Sequence, residues 1–183
     1  MDWKSVEDIL NSISNQKYVF LRNFQAVCNE FSEDDDWDVL CDNMQTFIKE
    51  IKAKPLNSNT ECYNYYVNVG GKKLYLDIRC VGDGYYDEKW ERDMLDSRIF
   101  KDGMYILNNV NYINSIVYHC LVHKDSIDYD KYKKVLINSG RNINEYIENL
   151  SLFMMKNGYR AVVPNDKGVK FNEENYSLIQ ERI

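Results

Sequence analysis

The residues best suited to chemistry are aspartates. The run Asp34-Asp35-Asp36-Trp37-Asp38-Val39-Leu40 passes from acidic to apolar through one alternating step. If Asp36–Leu40 is a β-strand, its side chains alternate between faces. Asp36 and Asp38 then share one face and Trp37 and Val39 the other. Two neighbouring carboxylates repel unless a cation lies between them, and oxygen-only ligands suit Mg²⁺ or Mn²⁺. The plainer alternative is a solvated acidic turn leading into an ordinary strand. A third acid changes that balance. Asp77 sits in Leu74-Tyr75-Leu76-Asp77-Ile78-Arg79, where Leu74, Leu76 and Ile78 form an apolar face opposite Tyr75, Asp77 and Arg79. A carboxylate in such a strand is desolvated unless it faces a cleft. Asp36, Asp38 and Asp77 together are the donor set that metal-assisted phosphoryl or nucleotidyl transfer requires.

The elements that must hold these acids follow from periodicity. Ser5–Ser14 reads as a helix, with Ser5 and Asp8 resembling a capping box. Lys17–Leu21 reads as a strand that Arg22-Asn23 ends, and Trp37–Cys41 as a second strand. Asn43–Lys54 is an amphipathic helix stopped by Pro55. Cys62–Val69 and Lys72–Cys80 are alternating runs joined by Gly70-Gly71, a hairpin signal because tight hairpin turns favour positive φ. Beyond Arg79 the chain reads as mostly helical: Glu88–Arg98, Asn111–Lys124, Asp128–Asn138 and Asn142–Lys156. A short strand is expected at Tyr159–Val163, and a last strand and helix after Val169. The expected class is α+β, a small mixed sheet with flanking helices followed by a mostly helical C-terminal half. Residues 1–98 would form the α+β core and 99–183 the helical region packed on it, with a soft boundary in one compact unit.

With 183 residues, 44% hydrophobic and 28% charged, the chain is long enough for one substantial core and too apolar for disorder. A net charge of −6 argues against tight binding to a nucleic-acid backbone, while leaving a local basic patch open. No apolar stretch is long enough to span a membrane and no leader is recognisable, so a cytoplasmic protein is expected. The five cysteines lack zinc-like spacing and are expected to be reduced.

The acids and their strands resemble the nucleotidyltransferase superfamily, the polymerase β-like fold. That family carries an apolar strand ending in Gly-Ser, then Asp-x-Asp on a second strand, then a third acid on a later one. Here Phe20-Leu21 ends the first strand, Asp36-Trp37-Asp38 supplies the pair and Asp77 the third acid. The stretch covered is roughly Lys17–Arg79. Arg22-Asn23 stands where Gly-Ser is expected. The segments Val19–Asn23, Asp77–Asp87, Tyr118-His119 and His123-Lys124 resemble a poorly characterised branch found among sugar-polymer and surface-glycan genes.

The resemblance implies that Asp36, Asp38 and Asp77 hold Mg²⁺ or Mn²⁺, and that NTP is the substrate. Arg22, Asn23 and Lys124 would contact the triphosphate, and a small molecule or sugar phosphate would be the acceptor. It also leaves open a protein that keeps the fold and has lost NTP binding. Arg79 shares a face with Asp77 and would either neutralise it or bind phosphate. Lys124 could equally complement a helix dipole. His119 and His123 fall on one helical face, but no further zinc ligand is evident, which favours a structural or phosphate-contacting pair over a metal site.

Overall fold

The computed structural model describes residues 2–23, 36–56, 63–124 and 142–183. The expected helix at Asp128–Asn138 and the leading acids Asp34 and Asp35 lie outside them. The architecture is α+β: a seven-stranded mixed sheet with six helices among the described residues. By contacts it divides into two units, Met1–Val81 with Arg92–Asn108, and Gly82–Glu91 with Asn109–Ile183.

The first unit holds the whole sheet. Helix α1 (Val6–Ser12) begins at Ser5, whose Oγ accepts from Asp8 N at 3.2 Å while Asp8 Oδ2 accepts from Ser5 N at 3.1 Å. Two of the N–H groups that a helix start leaves without partners are thereby satisfied. Strands β1 (Tyr18–Arg22) and β2 (Asp36–Cys41) are antiparallel. Helix α2 (Met44–Ile51) ends at Lys52 in the left-handed conformation, and the short strand β3 (Lys54–Pro55) follows. Pro55 is thus an edge-strand residue, three positions beyond the residue that ends the helix. Strands β4 (Asn64–Val69) and β5 (Lys72–Cys80) form the expected hairpin, and both turn glycines have positive φ, 57° and 84°.

Helix α3 (Glu88–Asp96) is followed by a hairpin of β6 (Ile99–Lys101) and β7 (Met104–Ile106), which the sequence reading does not anticipate. Sheet order is β3-β4-β5-β2-β1-β7-β6, with β2–β5 and β1–β7 parallel. One sheet face is the core of this unit. Tyr18, Phe20, Trp37, Val39, Leu74, Leu76 and Ile78 pack there with Ile9, Ile13, Phe47 and Ile51.

The second unit is helical. It contains α4 (Asn109–Val122), α5 (Ile143–Asn157) and α6 (Glu173–Gln180). Helix α5 begins with an Asn142–Glu145 capping box and closes at Gly158, whose φ of 68° suits a left-handed cap. Trp90 is fully buried, stacks on Tyr159 with ring centroids 5.6 Å apart, and donates from Nε1 to Asn111 Oδ1 at 3.0 Å. Tyr159–Val163 is not a strand. A side chain takes the place of a neighbouring strand there: the Tyr118 hydroxyl donates to Val162 O at 3.2 Å and accepts from Val162 N at 3.0 Å. No helix among the described residues is long and apolar enough to cross a membrane.

Candidate functional site

The acids come together because β2 and β5 run parallel in register, with Asp38 directly opposite Asp77 and Trp37 opposite Leu76. Trp37 and Leu76 point into the core, so Asp38 and Asp77 take the other face. Asp36, two residues from Asp38, shares that face and is exposed, whereas Asp38 is only 5% exposed.

Arg22 reaches the same face through an irregularity in the sheet. Strict alternation along β1 would put Arg22 with Phe20, on the core side. Phe20 pairs with Val39, but Arg22 pairs with Asp38, so one extra residue has entered β1 between them. Such a bulge re-aims the side chain that follows it. Here it turns Arg22 from the apolar core to the acid opposite. Arg22, 4% exposed, donates from its guanidinium to Asp38 Oδ1 in a buried ion pair. Asn23 follows in the left-handed region at φ 57°, where asparagine is better tolerated than most side chains. Its amide nitrogen lies 2.9 Å from Asp38 Oδ2 and 3.2 Å from Asp36 Oδ1, bridging the two carboxylates.

Asp77 has its own counter-ion. Arg79 Nη2 donates to Asp77 Oδ2 at 3.0 Å, and Arg79 Nε lies 2.8 Å from Oδ1 as an ion-pair contact off the hydrogen-bond axis. The guanidinium also stacks 4.3 Å from the ring of Tyr63, a cation–π contact that fixes its plane. Burial pushes the Asp77 carboxyl above its ordinary range. Arg79 opposes this by charge and hydrogen bond, Asp38 adds to it by like-charge repulsion, and Arg22 opposes it.

Asp36, Asp38, Asp77, Arg22, Asn23 and Arg79 therefore form one cluster within the first unit. Lys124 belongs to the second unit, just past the end of α4. His119 and His123 are also in the second unit and are buried in its aromatic core. His119 Nδ1 is 2.8 Å from the Tyr85 hydroxyl, and the His123 ring lies 4.1 Å from that of Tyr85. Sequence reasoning missed Tyr63, which it placed only as one residue of the Cys62–Val69 run. It also missed Glu91, a fully buried carboxylate that accepts from Gly82 N at 2.8 Å and Tyr86 N at 3.1 Å and so ties down the glycine-bearing loop.

The donor chemistry of the cluster suits a hard divalent cation, since each acid offers only carboxylate oxygens. Among the described residues no three His, Cys, Asp or Glu side chains are gathered closely enough to hold a metal ion. The N–H groups of Arg22 and Asn23 stand against the carboxylates of Asp38 and Asp36.

No family model matches the chain, and no curated protein matches it. Among solved structures, JHP933 from Helicobacter pylori is similar at a TM-score of 0.48 and 12% identity, over 96% of this chain and 85% of that one. A second H. pylori structure, titled a "putative nucleotidyltransferase", is similar at a TM-score of 0.46 and 13% identity, over 96% of this chain and 88% of that one. At these values neither likeness bears on what the cluster does.

Proposed function

We propose that the chain is a metal-dependent nucleotidyltransferase that moves a nucleoside monophosphate from an NTP to a hydroxyl or phosphate acceptor. The observation that carries this reading is the register that sets Asp38 opposite Asp77 with Asp36 on the same face. Setting the carboxylates of Asp38 and Asp77 opposite each other at a largely buried position costs stability, and metal-assisted transfer is a reaction that uses such acids. Asp36, Asp38 and Asp77 would hold Mg²⁺ or Mn²⁺, which would supply charge stabilisation for the departing pyrophosphate. The acceptor oxygen bonds to the α-phosphorus as the bond to the β-phosphate oxygen breaks. Asp77 would complete the site and is the acid proposed to take the acceptor's proton. Arg22 and Arg79 are the cations of this cluster proposed for the triphosphate, with Asn23 as an amide donor, and Lys124 is a separate proposed phosphate contact.

A second reading, a nucleotidyltransferase-like binding or interaction protein without catalysis, is favoured by the same cluster's ion pairs. Asp38 and Asp77 each already have an arginine. Melting temperature separates the two. On the first reading, NTP with Mg²⁺ or Mn²⁺ raises it, and Asp36→Ala with Asp38→Ala abolishes the rise. An unchanged melting temperature with every NTP and either metal refutes catalysis and leaves the binding protein.

A further inference from the structure

We propose that Cys41 and Cys80 are a cross-strand dithiol that closes to a reversible disulfide and so ties β2 to β5. This does not rest on the nucleotidyl-transfer reading. The two residues are direct partners in the parallel ladder, where Val81 N donates to Cys41 O at 3.1 Å. Their side chains share a face. Cys41 belongs to the apolar core with Trp37 and Val39, and Cys80, next in the series Leu74, Leu76, Ile78, packs against that core. Each sulfur leans across the gap between the strands. Cys41 Sγ donates to Arg79 O on β5 at 3.3 Å, and Cys80 Sγ to Asp42 O, just past the end of β2, at 3.7 Å. Neighbouring strands lie about 4.7–4.9 Å apart, inside the range of Cα separations, about 4.4–6.8 Å, that a disulfide spans. Both residues are thiols in the structure.

Exposure assigns the order of events. Cys41 is 1% exposed, whereas Cys80 is half-buried, so Cys80 meets the oxidant and Cys41 resolves. The oxidant is a small-molecule disulfide such as oxidised glutathione. Cys80 Sγ, as the thiolate, attacks one of its sulfurs; that S–S bond breaks, one glutathione leaves, and the other stays joined to Cys80. Cys41 Sγ then attacks the Cys80 sulfur and releases the second glutathione. Two cysteine thiols are oxidised, one disulfide is reduced to two thiols, and the cysteine protons end on the departing glutathiones. Bridged Cβ atoms must approach to about 3.5–4.5 Å, closer than the spacing of paired strands, so the bond forms under strain and is readily reduced. The pair lies three ladder steps beyond Asp38 and Asp77, with Arg79 next to Cys80, so oxidation acts on the two strands that hold those acids.

The test is a thiol and disulfide map of the folded full chain after oxidised glutathione, with Cys28→Ser and Cys62→Ser so that only Cys41, Cys80 and Cys120 remain. The expected product has lost two thiols, carries no glutathione and joins the peptide of Cys41 to that of Cys80; dithiothreitol restores both thiols. Cys120, 1% exposed, keeps its thiol. With Cys41→Ser, glutathione should stay on Cys80, and with Cys80→Ser neither modification should occur. If Cys41→Ser fails to fold, Cys41→Ala serves, and the map of the parent chain needs neither. Glutathione retained on Cys80 while Cys41 remains a thiol, or no reaction at Cys80, overturns the proposal. So does loss of the Cys120 thiol at the same rate, because the bond would then be forming in the unfolded chain.

Discussion

Replacing Arg22 with Met tests whether the bulge and the ion pair belong to one design. Arg22 and Asp38 are 4% and 5% exposed, so the pair is shielded from solvent. Removing one partner of a buried pair costs about 3–5 kcal/mol, because the remaining charge stays buried. Asn23 still donates to Asp38 at 2.9 Å, and a hydrogen bond to a charged group is worth about 1.5–3 kcal/mol. The lower end, about 3 kcal/mol, is therefore expected. In a chain of 183 residues that corresponds to a fall in melting temperature of roughly 6–12 °C. Asp38→Asn alone should also destabilise, since it strands the guanidinium. The double variant, with no charge on either side, should lose less than the sum of the singles by about 1.5–3 kcal/mol. Denaturant unfolding followed by the fluorescence of Trp3 and Trp37, in a Trp90→Phe background, reads the first unit. A loss under about 1 kcal/mol for Arg22→Met, with additive singles, would show that the pair contributes little and that the bulge serves something else.

Two further outcomes follow from the same structure. The Asp77 carboxyl is raised above its ordinary 3.8, so the folded chain holds that proton to higher pH than the unfolded one. Its contribution is therefore greatest at low pH and declines as pH rises from 3.8 through the raised value. The difference in stability between wild type and Asp77→Asn should show this decline, and a difference that grows with pH refutes the assignment. Tyr118→Phe removes the hydroxyl that pairs both backbone groups of Val162; a loss of about 1–2 kcal/mol is expected, and an unchanged melting temperature would mean those groups find other partners.

What was legible in the sequence was whatever depends on spacing within one element. The alternation of β5 placed Leu74, Leu76 and Ile78 in the core and Asp77 opposite, and the paired glycines fixed the hairpin. The Ser5 and Asp8 spacing identified the start of α1. Each of these needs only local periodicity or turn chemistry. The hairpin of β6 and β7 was not legible because each strand has three residues, too few to show a period of two. Tyr159–Val163 looked like a strand by composition. Whether an extended segment joins a ladder depends on what lies beside it, and here a tyrosine hydroxyl does.

The decisive misfit was also the least legible feature. Arg22-Asn23 marks a departure from a Gly-Ser pattern, but sequence alone gives no direction to either side chain. By strict alternation Arg22 belongs on the core face, where a charge is untenable. The pattern of β1 is thus in conflict with itself unless the register slips, and the bulge between Phe20 and Arg22 is that slip. The conflict could have been read as a prediction of a bulge, because a buried arginine must find an acid and the nearest strand offers Asp38. The slip carries Asn23 with it, and a positive φ then becomes the way to bring a short amide back over both carboxylates. Arg22 and Asn23 are therefore the residues that hold the acid pair in its present form.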